Sequence, residues 1–289
     1  MNSSPPVADL TAIARDVYSQ YGEDGVIEWV FERLPARHRV CVEFGAWDGR
    51  NLSNTFNLVE NRGWKAVYIE ADSRKFLDLK KTATAYPAIR PIHSLVSTTG
   101  PCSLDALLER ERVPVDFDLL SIDIDGNEYD VWESTTRFMP RLVVIEHNAT
   151  FPTGFEFIDR GGRGFIGSSA ASLCALAARK GYGLLGANIA NLFFLRQEDF
   201  AVLGVRPRDV GEVPTLYEAC YVLFNNAGEV VLSNAAVARK LRGVRYAQRR
   251  KTWTRRLLWL PTLYALGEPH RQGGAVLNVL RRLNSLIRG

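Results

Sequence analysis

Apolar positions recur at helical spacing early in the chain, at Val26, Ile27, Val30, Phe31 and Leu34, and Pro35 follows to stop the turn. This predicts a helix over 23–34. Short apolar runs then alternate with amphipathic stretches. Val40 to Phe44, Ala66 to Glu70, 89–97, Phe117 to Ile124 and Leu142 to Ile145 read as strands. Residues 52–62, 73–84, 103–111, 128–138 and a stretch opening at Ser168 or Ser169 and running to about Lys180 read as helices. Ser103 supplies a good N-cap, with Asp105 in the first turn. Leu184 to Gly186, Leu192 to Leu195 and Tyr221 to Phe224 are candidates for the last strands. Residues 1–15 read as a loose lead-in. Residues 151–167, rich in Phe and Gly and without a period, read as a long loop, either a lid or a surface excursion. Strands separated by helices predict an α/β fold with a doubly wound, mostly parallel sheet covered on both faces. Ligands of such sheets bind at the carboxyl ends of the strands, near the switch point.

Three segments follow from this pattern: a lead-in and helix (1–35), the α/β domain (36–230) and a basic amphipathic C-terminal extension (231–289). The 289 residues, 46% hydrophobic and 24% charged, suit one globular domain with an appendage. Charge sharpens the division. From residue 230 onward there are 13 Lys/Arg and only Glu268 as an acid, so the first 229 residues hold 23 basic and 31 acidic side chains. The body is mildly acidic and the overall +4 comes from the tail. In the tail, Arg249, Arg250, Lys251, Arg255 and Arg256 stand beside Trp253, Leu257, Leu258 and Trp259. Three readings stand open for 235–289: a solvated helical extension, a peripheral membrane contact, or a nucleic-acid contact. The last is disfavoured because the body offers no basic face. The four cysteines have no C-x-x-C spacing, the N-terminus does not read as a signal peptide, and no run of 18 apolar residues occurs. The expected location is the cytoplasm, with the inner membrane face as an option through the tail.

Candidate chemistry sits at the strand ends. Val42-Glu43-Phe44-Gly45-Ala46-Trp47-Asp48-Gly49 runs an apolar strand into a turn with two glycines, and Gly45 permits a tight turn and close ligand approach. Asp48 is placed to accept hydrogen bonds from a ligand. The spacing is not the G-x-G-x-x-G of a dinucleotide site, and no P-loop lysine is present, so the turn suits a ligand without phosphates. The second strand ends in Glu70, a carboxylate at the position that commonly holds ribose hydroxyls. Ile122-Asp123-Ile124-Asp125-Gly126-Asn127-Glu128 gathers three acids at another strand end. Asp123 and Asp125 share one face if the strand continues that far. Clustered acids repel unless they bind a cation, take a proton or bond to amides. Three roles stay open: a general base, a divalent-cation site completed by Glu146 with His147 and Asn148 beside it, or a cofactor clamp. Simple capping of the next helix by Asp125 and Glu128 is the structural alternative. His147 is a candidate base or, more blandly, a packed histidine.

The succession E-F-G-A-W-D-G, Y-I-E-A-D, D-L-L-S-I-D-I-D-G-N-E and V-V-I-E-H-N resembles the FkbM-type group of Rossmann-like S-adenosylmethionine-dependent methyltransferases, over roughly residues 16–200. Tyr18-Ser19-Gln20-Tyr21-Gly22-Glu23-Asp24 is similar to that group's lead-in. The resemblance implies that Glu43, Gly45, Ala46, Asp48 and Gly49 hold the methionine part of the cofactor and Glu70 its ribose. It places Ala71, Asp72, His93 and Ser94 near the adenine. The group commonly has Glu where this chain has Asp125.

The resemblance implies methyl transfer to an oxygen, with a sugar hydroxyl on a glycan or glycosylated natural product as acceptor. Asp123, Asp125 and His147 are the expected catalytic groups. Asp123, Asp125 and Glu146 are the ligands of any divalent cation such as Mg. Two rivals remain: a nucleotide-dependent oxidoreductase on the same fold, and a non-catalytic protein of that fold docking through its tail.

Overall fold

The structure is a computed structural model that describes residues 6–124, 126–160, 167–213, 222–224 and 230–232. The main sheet has seven strands: β1 (Val40–Phe44), β2 (Lys65–Glu70), β3 (Ile89–His93), β4 (Leu119–Ile122), β5 (Leu142–Glu146), β6 (Tyr182–Ala187) and β7 (Asn191–Arg196). Their order is β3-β2-β1-β4-β5-β7-β6, and β7 alone runs antiparallel to its neighbours. The chain winds outward from β1 through β2 to β3, then crosses back to place β4 on the other side of β1. That reversal is the switch point of a Rossmann-like doubly wound α/β fold.

The period-two alternation of each strand divides the core. Val42 and Phe44 of β1, Val143 and Ile145 of β5, and Leu192 and Phe194 of β7 face one layer. Cys41, Leu142, Val144, Phe193 and Leu195 face the other. The helices α5 (Leu104–Arg110), α6 (Glu128–Ser134) and α7 (Ala170–Arg179) close the first layer, where Trp132 stacks on Phe194 at 5.3 Å. The second layer is closed by α2 (Glu23–Arg33), α3 (Phe56–Arg62) and α4 (Ser73–Ala85). Strands buried on both faces explain why the apolar runs of the sequence are nearly unbroken.

Several elements differ from the sequence expectation. The described part of the lead-in, from residue 6, is structured: Asp9 caps a short helix α1 (Leu10–Ile13), and Leu10 packs so close to Gly186 that a Cβ there would meet it at 2.5 Å. The backbone of Pro6 accepts from Arg206 N–H, tying this segment to the far end of the described chain. The predicted helix 52–62 starts only at Phe56, because Leu52 takes a left-handed φ of 61° in the preceding loop. The helix predicted to reach 138 ends at Ser134. A short helix α8 (Phe200–Leu203), absent from the sequence reading, follows β7 and buries Phe200. β8 (Val222–Phe224) pairs with β9 (Val230–Leu232) in a separate two-stranded sheet rather than joining the main one. Among the described residues, no helix is long and apolar enough to cross a membrane. The basic tail lies outside the described residues.

Candidate active site at the switch point

A cleft of about 900 Å³ opens over the carboxyl ends of β1, β2, β4 and β5 and the amino end of the antiparallel β7. Its volume lies within the range of small-molecule sites. The loop after β1 forms its floor. Gly45 has φ +80°, and a Cβ there would lie 1.6 Å from the Asp123 carbonyl oxygen. Only glycine lets the β1 and β4 exits cross this closely. The Gly45 and Ala46 amides both donate to Ile69 O, at 3.1 and 3.2 Å, so the loop is fixed to β2.

Glu70 ends β2 inside the cleft, 6% exposed. Its Oε2 accepts from the Trp47 amide at 2.8 Å and its Oε1 from the Asp72 amide at 2.7 Å. The first bond stabilises Trp47 in a left-handed backbone conformation (φ 47°). A carboxylate has about four acceptor positions, so each oxygen keeps capacity for a ligand hydroxyl. Ala71, Lys75, Ser94 and Leu95 line the same end. Trp47, Leu95, Leu52 and Tyr21 are large apolar side chains left exposed at the cleft. This gives a polar floor with an apolar rim.

Glu43 also lines the cleft and is buried. Its Oε2 accepts from Ser53 Oγ (2.8 Å) and Thr55 Oγ1 (2.6 Å), and Thr55 in turn bonds Tyr68 OH at 2.8 Å. Burial pushes the Glu43 carboxyl up to about 7, against the two hydroxyl bonds that favour its charged form. Glu128, at the start of α6, is likewise raised by burial to about 7. Its Oε1 accepts from the Gly126 amide (2.6 Å) and the Ile124 amide (3.3 Å), while its Oε2 is buried without a partner. Glu128 therefore shapes the loop after β4 and does not cap α6, whose first turn has no side-chain cap bond.

Both raised carboxyls titrate near pH 7 in the native state and in the ordinary carboxylate range when unfolded. Between the two the native state holds protons that the unfolded chain has released, so stability falls as pH rises through this window and levels off above it. A shift of this size corresponds to on the order of 3 kcal/mol per group. Glu43→Gln, which mimics the protonated form, is expected to reduce that loss. Chemical denaturation at pH 5 and pH 8 checks it, and a loss as large as that of the unmodified chain would contradict the Glu43 assignment.

Of the residues singled out in the sequence, Glu43, Gly45, Ala46, Glu70, Ala71, Ser94, Asp123 and Glu146 all line the cleft. Four others are placed differently. Asp48 turns its carboxylate back onto its own loop, accepting from the Arg50 and Asn51 amides and the Asn51 side chain. Gly49 packs on Tyr68 and Leu79, beneath the loop rather than in the cleft. Asp72 caps α4 through the Arg74 and Lys75 amides. His147 is 6% exposed, with Nδ1 3.0 Å from the Ala190 carbonyl, and burial lowers its pKa to about 4. These are structural placements, and none of the four belongs to the cleft lining. His93 lies beside it, stacked on Phe76 at 4.7 Å. Asp125 lies outside the described residues. Among the described residues, no group of three or more His, Cys, Asp or Glu side chains is arranged to hold a metal ion.

No family model matches the chain, and no curated protein matches it. Solved structures do. The N-terminal domain of EvdMO1 with S-adenosylhomocysteine bound is similar at 13% identity, over 70% of this chain and 85% of that one, with a TM-score of 0.41. An O-methyltransferase family protein from Burkholderia thailandensis is similar at 10% identity over 59% and 55% of the two chains, TM-score 0.38. M. capricolum TrmK, in complex with the natural cofactor product S-adenosylhomocysteine, is similar at 11% identity over 59% and 67%, TM-score 0.39. The chain spans 41% of the length of the longer EvdMO1 structure. At these identities the likeness is one of fold, and the chemistry must be argued from the residues of this cleft.

The cleft also holds residues that the strand-end motifs did not point to: Gln20, Tyr21, Glu23, Asn54, Lys75 and Asn191. The first three arrive through an acid-organised loop. Asp24 accepts from the amides of Val17, Tyr18 and Ser19, each at 2.8 Å, and Asp16 accepts from the Gly22 amide. Gly22, at φ +89°, passes so near Ala14 that a Cβ would meet it at 2.4 Å. The density of Asp, Ser and Gly in residues 16–24 was the available signal.

Proposed function

We propose that the chain is an S-adenosylmethionine-dependent methyltransferase acting on an oxygen nucleophile, with a sugar hydroxyl of a glycan or glycosylated natural product as acceptor. The observation that carries this reading is Glu70. It is a buried carboxylate at the end of the second strand, oriented by two backbone amides and facing a cleft whose glycine turn offers no phosphate cradle. That acceptor fits the hydroxyls of a ribose on a ligand without phosphates. Glu70 accepts from the ribose hydroxyls, Ala71, Ser94 and Leu95 bound the adenine, and the wall around Glu43 and Gly45 faces the methionine part.

S-adenosylmethionine supplies an electrophilic methyl, whose bond to sulfur breaks as the acceptor oxygen attacks and whose electron pair stays on sulfur. The chain contributes alignment and a destination for the proton. Asp123, which follows β4 and lines the cleft, takes the hydroxyl proton as the new bond forms. Holding both reactants in line is the larger share of the effect. The rim of Trp47, Leu52 and Leu95 limits water at the reacting centre.

Asp123→Asn tests the proton role. Turnover, followed as release of S-adenosylhomocysteine, is expected to fall by about 10²–10⁴-fold. Affinity for S-adenosylhomocysteine is expected to stay within about twofold. Unchanged turnover contradicts the role, and lost affinity with an intact fold makes Asp123 a cofactor residue.

A further inference from the structure

The far wall of the cleft is built from β5, β7 and the 20–23 segment, and one atom there is unsatisfied. Asn191 begins β7 at 3% exposure, paired across the sheet with Glu146. Its Nδ2 donates to Glu23 Oε1 at 2.9 Å, and its Oδ1 is buried with no hydrogen-bond partner. A carboxylate can only accept, so Glu23 fixes which way this amide faces: NH₂ toward Glu23, oxygen away. Glu23 is itself fully engaged. It is 1% exposed and also accepts from Asn188 Nδ2 (2.6 Å) and the Tyr21 amide (2.8 Å). The turn carrying Asn191 is closed from both sides. Asn188 Oδ1 accepts from the Ala190 and Asn191 amides, and Ala190 O takes bonds from the His147 amide and ring. A rigid support holds an acceptor atom without its donor, and the same side chain lines the cleft. Of the five buried side-chain polar atoms without a partner among the described residues, Asn191 Oδ1 is the one whose side chain lines the cleft, where a ligand hydroxyl can supply the donor.

Position and surroundings say which ligand. Neighbouring strands lie about 4.8 Å apart, so Glu70 on β2 is two strands, or about 10 Å, from Asp123 on β4. Asn191 on β7 is two strands further on. This is the side of Asp123 away from the ribose-binding carboxylate, where the acceptor must enter. Tyr21, 47% exposed, lines the same cleft and is joined to Asn191 through Glu23, which accepts from the Tyr21 amide and from Asn191 Nδ2. An exposed aromatic residue and a buried acceptor in one cleft suit a molecule with an apolar face and a hydroxyl edge.

We propose that Asn191, oriented by Glu23, anchors a hydroxyl of a pyranose ring stacked on Tyr21, and so selects the sugar acceptor. The proposal rests on the methyl-transfer reading. Asn191 is the specificity residue, and Glu23 is a positioning residue acting through it.

Saturation-transfer NMR on the full chain, saturated with S-adenosylhomocysteine, tests this. The probes are the methyl glycosides of glucose, galactose, mannose and fucose, with putrescine as a cationic probe. Transfer to at least one pyranoside and none to putrescine is expected. Asn191→Leu and the smaller polar Asn191→Ser are each expected to reduce that signal by about tenfold, with affinity for S-adenosylhomocysteine within about twofold. The serine variant carries the test if the leucine variant does not fold. Glu23→Gln, which no longer dictates the amide's orientation, is expected to weaken the pyranoside signal too, while leaving S-adenosylhomocysteine affinity unchanged. Three results overturn the proposal alone: S-adenosylhomocysteine bound but no pyranoside, transfer to putrescine only, or an undiminished signal in the Asn191 variants. Failure of S-adenosylhomocysteine to bind overturns the methyl-transfer reading and this proposal with it.

Discussion

Replacing Glu70 by alanine is expected to weaken S-adenosylhomocysteine binding by about a hundredfold, or ~2.7 kcal/mol. Hydrogen bonds to a charged group are worth roughly 1.5–3 kcal/mol each, and the ribose diol loses its acceptor. A second loss adds to it. The Trp47 and Asp72 amides both donate to this carboxylate, so the variant leaves two loop amides without their partner and releases Trp47 from its left-handed conformation. Glu70→Asp separates these effects. Its shorter side chain keeps the charge but does not span both amides, and an intermediate loss is expected. Isothermal titration of the variants, with thermal melting as the check on folding, reads both. Affinity within about twofold of the unmodified chain for Glu70→Ala would remove the ribose assignment.

Gly45→Ala is expected to have an effect of similar size on binding and a larger one on stability. The φ of +80° alone disfavours any L side chain by roughly 1–2 kcal/mol. The Cβ would also stand 1.6 Å from the Asp123 carbonyl, a backbone atom that cannot swing aside as a side chain would. The β1 and β4 exits must therefore part. The Gly45 and Ala46 amides are then pulled from Ile69 O, and Asp123 is displaced from its place in the cleft lining. A melting temperature lowered by several degrees and S-adenosylhomocysteine binding weakened by about a hundredfold are expected. By contrast, Gly63→Ala bears only the φ penalty, since nothing lies within 4 Å of the Cβ built there. Equal melting temperatures for these two variants would contradict the account of the crossing.

The contrast between these glycines shows what a sequence can and cannot reveal. The apolar runs of β1, β2, β4 and β5 are legible because a strand buried on both faces admits few polar residues, and Gly45 is legible because it ends one of them. The reach of Asp48 was not. An aspartate in a turn can face a ligand or bond its own backbone, and the choice depends on the local path of residues 48–51, where it accepts from the Arg50 and Asn51 amides. His147 was open for the same reason: its neighbour in sequence is a strand-end acid, but its neighbour in space is Ala190, forty-three residues on. Asn191 and Glu23 meet across 168 residues, a juxtaposition that no local pattern encodes. The lead-in helix α1 was invisible because four residues carry no period. Its order comes from Leu10 fitting against Gly186 and from the Arg206–Pro6 backbone bond.

In the proposed reaction the two halves are separated by strand number: β2 is assigned the cofactor carboxylate, β4 the proton acceptor, and β5 with β7 the acceptor wall. All of this depends on the cleft recognising the cofactor at all. Calorimetric titration of the full chain with S-adenosylhomocysteine tests that most directly. The account predicts one site per chain with micromolar affinity. No binding heat, from a chain shown by its melting curve to be folded, would contradict it.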